Sequence, residues 1–95
     1  MIATQTTIYV VTFEGPGSGG FNWFWEEKAA QDNYTKERRT YRQFNERTEI
    51  ACFPVTVPIP NGEDQIDRIT RWLEDNDVWA MSDKAEQREI VCKDY

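Results

Sequence analysis

Residues Thr6–Glu14 (TTIYVVTFE) constrain the fold of this 95-residue chain more than any other segment. β-Branched and aromatic side chains dominate it, so it reads as a β-strand. Ile8, Val10 and Thr12 fall on one face, and Tyr9, Val11 and Phe13 on the other. A strand that meets water on one side alternates apolar with polar residues. This one is apolar on both sides, so the rest of the chain must cover it well. A chain this short buries roughly 60–68% of its unfolded surface, which leaves little material for the task. Thirteen aromatic residues, four of them Trp, supply large apolar areas for that core.

The segments that follow assign the covering elements. Gly15-Pro16-Gly17-Ser18-Gly19-Gly20 breaks regular structure, and Phe21–Trp25 resumes it, with Phe21, Trp23 and Trp25 alternating against Asn22 and Phe24. The pair reads as a hairpin with a flexible, glycine-rich tip. From Glu27 the period becomes helical. Ala30, Tyr34, Tyr41 and Phe44 share one stripe, and Lys36, Glu37, Arg38, Arg39 and Arg42 share a charged outer face, over a helix from about Glu27 to Asn45. Thr48–Val57 returns to strand character, and Pro54 places it at an edge or gives it a bulge.

Pro58-Ile59-Pro60-Asn61-Gly62 forms a stiff connection to a second helix capped by Asn61 or Gly62. Ile66, Ile69, Trp72 and Leu73 give that helix a core-facing stripe, and Asp75-Asn76-Asp77 ends it. Val78–Met81 is an apolar patch of no definite periodicity. Ser82-Asp83 is placed to cap a short helical turn through Arg88, and Glu89–Lys93 reads as a last strand. The order β-β-α-β-α-(β) describes one α+β domain over residues 1–95. It predicts a small, mainly antiparallel sheet of three to four strands with two helices on one face.

The chemistry open to the chain is narrow. There is no histidine, which removes the commonest general base, the Ser-His and Cys-His pairs, and imidazole metal ligation. Ser18 and Ser82 lie in expected loops with no base nearby. Gly15–Gly20 lacks the Lys-Ser/Thr ending of a phosphate loop, and a strand follows it where that motif needs a helix. Cys52 and Cys92 form neither a C-x-x-C pair nor a disulfide framework, and read as buried free thiols. The chain is therefore not expected to be an enzyme or to carry a cofactor or metal. It has no apolar run of ~20 residues to cross a bilayer. A cytoplasmic location is expected.

Charge supplies the functional lead. Glu63–Tyr95 holds ten acids and five bases, a net of −5, within a total of −6. Such a field repels nucleic acid and attracts basic protein surfaces. Glu63, Asp64, Asp67, Glu74, Asp75 and Asp77 surround or follow the second helix, at spacings that approximate phosphates on a duplex. They are the candidate partner contacts, together with Trp23 and Trp25 of the hairpin as aromatic anchors. The plainer explanation of the acids is a solvated helix face. The basic stretch Lys36–Arg42, with Arg38, Arg39 and Arg42, offers a competing nucleic-acid surface. The Val78–Met81 patch offers a hydrophobic interface of the kind found in structural, assembly or antitoxin-like proteins.

Tyr9–Gly15 followed by Gly20–Trp25, in a short acidic α+β chain without catalytic residues, resembles small accessory proteins of phages and mobile elements, anti-CRISPR proteins among them. The likeness is one of type across the whole chain. It implies an inhibitor that acts in the bacterial cytoplasm as a mimic of DNA. Its partner would be a nucleic-acid-binding complex with a basic surface, most directly a type I CRISPR surveillance complex. The net negative charge predicts no direct nucleic-acid binding by the chain itself, and the lack of a long apolar run predicts no membrane partner.

Overall fold

The computed structural model describes residues 5–59 and 64–93. Four strands, β1 (Gln5–Gly15), β2 (Ser18–Phe24), β3 (Thr48–Pro58) and β4 (Gln87–Val91), form one antiparallel sheet in the order β2-β1-β3-β4. Three helices accompany them: α1 (Glu27–Tyr41), α2 (Gln65–Asp75) and α3 (Val78–Ser82). The chain is thus an α+β domain with a small antiparallel sheet.

The two long helices do not share a face of that sheet. Ile8, Val10, Ala51, Phe53, Val55 and Val57 pack against Ile69 and Leu73 of α2 and Val78 of α3. On the opposite face Val11, Ile50, Cys52 and Val91 pack against Ala30 and Tyr34 of α1. The expected arrangement of two helices on one face is therefore corrected to a helix layer on each side. The reason lies in β1 and β3. Both carry apolar residues on both faces, and one helical layer leaves half of them in water.

β1 and β2 join through two residues, Pro16 and Gly17, and Gly15 pairs with Ser18. Proline sets φ for the first turn position, and Gly17 takes φ 76 at the second, as a type II turn requires. The expected six-residue flexible tip is in fact a tight turn, with Ser18, Gly19 and Gly20 inside β2. Gly20 pairs with Phe13, and a Cβ there would lie 2.6 Å from the Phe13 ring. The missing side chain lets that ring lie across β2 and stack on Tyr41, with centroids 5.7 Å apart.

Helix α1 ends at Tyr41, short of the expected Asn45. The Arg42 amide still bonds back to Arg38, but those of Gln43 and Phe44 bond three residues back, to Thr40 and Tyr41, and the Phe44 carbonyl then accepts from Lys93 beyond β4. That last bond turns the chain off the helix axis. Phe44, expected on the buried stripe, is left 52% exposed. β4 starts two residues before the expected strand, and the helical turn expected through Arg88 is absent. Arg88 is instead held in β4 beside Glu49, at 2.6 Å.

Pro54 lies past Cys52, where the pairing of β3 with β4 stops, so its missing N–H falls on a free edge as expected. Cys52 and Cys92 are buried free thiols. No helix among the described residues is long and apolar enough to cross a membrane.

Candidate functional site

The expected anchors and part of the expected acidic face meet at one place. Trp23 leaves β2 toward α2, and its indole Nε1 donates to the Thr70 hydroxyl at 2.9 Å. That hydroxyl donates in turn to the Ile66 carbonyl at 2.8 Å. A T-shaped contact, with centroids 4.9 Å apart, then holds Trp25 against Trp23. The chain bends after Phe24, so Trp25 projects past the sheet and is 49% exposed. An open groove of about 610 Å³ results, lined by Trp23, Trp25, Glu26, Ile66 and Thr70 among others.

Ile66 was expected in the core with Ile69, Trp72 and Leu73. Ile69 and Leu73 are buried, but Ile66 is 63% exposed. It sits in the first turn of α2 and lines the groove with Trp25. Ile66 is the site residue that periodicity missed. Its helical register is that of the core, yet it opens onto the groove.

The acids divide into three groups. Asp64 occupies the N-cap position of α2, and Asp67 lies in its first turn. Both are exposed, close in sequence to Ile66, and favourable to the helix dipole. Glu74 and Asp75 are exposed in the last turn, which contains no basic residue. Carboxylates there oppose the dipole, at roughly 0.3–1 kcal/mol each, so helix stability does not account for them. Arg68 and Arg71 stand between the two pairs on the same outer face and halve its charge. Glu63 lies outside the described residues.

Asp77 has a structural task. It adopts the left-handed conformation, φ 54, in the link between α2 and α3, and its Oδ1 accepts from the Ala80 amide at 3.3 Å. Asx side chains suit both roles. It is a cap, set apart from the groove by the length of α2.

Two of the four cations of the competing basic stretch are engaged by one carboxylate. Arg38 and Arg42 both reach Glu89 of β4, at 3.0 and 3.4 Å, and the Arg38 guanidinium also lies 5.2 Å from the centre of the Tyr34 ring. Burial, with Glu89 nearby, pushes the Tyr34 hydroxyl above its ordinary pKa. Ser82 is buried and donates to the Trp79 carbonyl at 2.6 Å. Cys52 is held up at a pKa of about 11, first by burial and then by Glu27, and is a poor nucleophile at neutral pH. Among the described residues no group of three or more acids or thiols is arranged to hold a metal ion.

Comparison with known proteins returned no family model that matches this chain, no similar curated protein and no similar solved structure.

Proposed function

We propose that this chain is an inhibitory binding protein that occupies a basic, nucleic-acid-binding surface of a partner complex. A type I CRISPR surveillance complex is the partner class its resemblance to anti-CRISPR proteins implies. The observation that carries the reading is the juxtaposition of an apolar anchor, Trp25 with Ile66, and the outward acids of α2. Specific interfaces combine a central aromatic anchor with a polar rim, and charge complementarity sets partner choice and association rate. Asp67 and Glu74 are two helical turns apart, roughly 10 Å at a rise of 1.5 Å per residue. Asp64 and Asp67 flank the first turn and Glu74 and Asp75 the last, a spacing that suits a row of phosphate-binding cations.

The test is competition. A purified surveillance complex is titrated with the chain and its binding to target DNA is followed. DNA binding should fall with the native chain and recover when Asp64, Asp67, Glu74 and Asp75 are all replaced by Lys. Equal inhibition by that variant sinks the electrostatic reading.

A second reading, a small structural or assembly protein, is favoured by the uncharged edge strand β2. It predicts a concentration-dependent oligomer whose stability is insensitive to salt.

A further inference from the structure

Besides the short overhang of β1 at Gln5–Ile8, three strand edges are free among the described residues, and two of them carry a device that discourages pairing. The exposed half of β3 contains Pro54, which has no N–H to offer. β4 is five residues long and carries Arg88 and Glu89. Short strands, prolines and charges are the usual means of blunting an edge. β2 has none of them. Its seven residues include no charge and no proline, and its register with β1 runs without a bulge from Gly15–Ser18 to Tyr9–Phe24.

The register also says which groups are free. The residues that close a two-residue turn exchange both backbone bonds, and bonded and non-bonded pairs then alternate. Gly15–Ser18 is the closing pair, so Gly19, Phe21 and Trp23 aim their N–H and C=O groups away from β1. The same phase carried through β1 to β3 points the nitrogen of Pro54 away from β1, where no donor is needed. Around the end of this free edge lies the groove of Trp25 and Ile66.

We propose that β2 is the docking edge for an extended segment of the partner protein, which adds a fifth strand to the sheet. Its apolar side chains, at alternate positions, enter the groove of Trp23, Trp25 and Ile66, and flanking Lys or Arg residues meet Glu26 and Asp67. The inference rests on the partner-binding reading above and names the segment that the site takes. Backbone pairing supplies affinity in such strand addition, and alternate side chains supply specificity. Charge selects the occupant. Glu26 lines the groove and exposed Asp67 follows Ile66 on the helix, within a chain of net charge −6. A second copy brings its own net charge of −6 to the pairing, whereas a basic segment complements these acids.

The probe is a capped nonapeptide that alternates Val with Lys and Thr, titrated into the isotopically labelled full chain and followed by amide chemical shifts. Shifts should concentrate at Gly19, Phe21, Trp23 and the Trp25 indole. Two further peptides are N-methylated on one or the other set of alternate residues. One of them should bind at least about tenfold more weakly, because it loses the donors that face β2. Exchanging Lys for Glu in the probe, or Ile66→Ala in the chain, should weaken binding as well. No shifts at millimolar peptide, shifts away from β2, or equal binding by both methylated peptides would overturn the proposal. So would a dimer of the chain alone whose dissociation moves the β2 amides. If partner inhibition depends on the α2 acids while the peptide fails, strand addition is wrong and the binding reading stands. If the peptide docks while the acids prove irrelevant, the binding reading is at fault.

Discussion

Thr70→Val tests the link that builds the groove. The Thr70 hydroxyl is the acceptor for the half-buried Trp23 indole, at 2.9 Å, across 47 residues of sequence. Valine keeps the shape and β-branching and removes only the oxygen. The Ile66 carbonyl keeps its helical amide partner, so its loss of the hydroxyl bond is minor. The indole N–H is left without its protein partner. A typical net hydrogen bond contributes about 0.5–1.5 kcal/mol, and a donor left partly buried adds to that loss, so about 1–2 kcal/mol is expected. For a chain of this size that lowers Tm by roughly 5–10 °C. Urea unfolding followed by Trp fluorescence should show a reduced midpoint with an unchanged slope, and Thr70→Ser should recover most of the stability. A midpoint within error of the native one, with the Trp23 indole resonance unmoved, would refute the claim that this bond fastens β2 to α2.

Other outcomes follow from the same geometry. Gly20→Ala should destabilise by about 1–3 kcal/mol by forcing the Phe13 ring off Tyr41, seen in urea midpoints and in altered Tyr41 ring resonances. Asp77→Ala should cost about 1–2 kcal/mol through a lost cap and a left-handed backbone, while Asp77→Asn should be nearly neutral in thermal melts and leave partner binding intact. The Cys52 thiol has a folded pKa of about 11, raised from 9.0 by burial, so folding favours its protonated form. Stability from this group is complete below pH 9 and is lost as pH rises through 11. Denaturation at stepped alkaline pH should show that decline, and Cys52→Ala should make it shallower.

Much of the fold was legible because it rests on local periodicity. The strands at Thr6–Glu14 and Thr48–Val57 appear within a residue or two of their expected places, and the expected stripe Ile66, Ile69, Trp72 and Leu73 is inward except at Ile66. The side on which each helix packs was not, because the order of elements does not state it. The two-faced apolar pattern of β1 held that information and required a cover on each side. In the site, exposure of Asp64, Asp67, Glu74 and Asp75 followed from helical phase. The cap role of Asp77 needed the backbone angle that only the folded link defines. Trp23 and Thr70 meet through tertiary packing, and Ile66 opens onto the groove beside Trp25 rather than onto the core. No window of sequence contains either relation.

The central claim is that the outward acids of α2 and the aromatics beside its first turn together hold a basic partner. Affinity capture from a bacterial lysate tests it most directly. It uses the native chain, the Asp64, Asp67, Glu74 and Asp75 to Lys variant, and Trp25→Ala, each at low and high salt, quantified by mass spectrometry. The account predicts one nucleic-acid-binding complex retained by the native chain at low salt, released at high salt and lost by both variants. Equal retention by all three proteins, or retention that salt does not weaken, would contradict it.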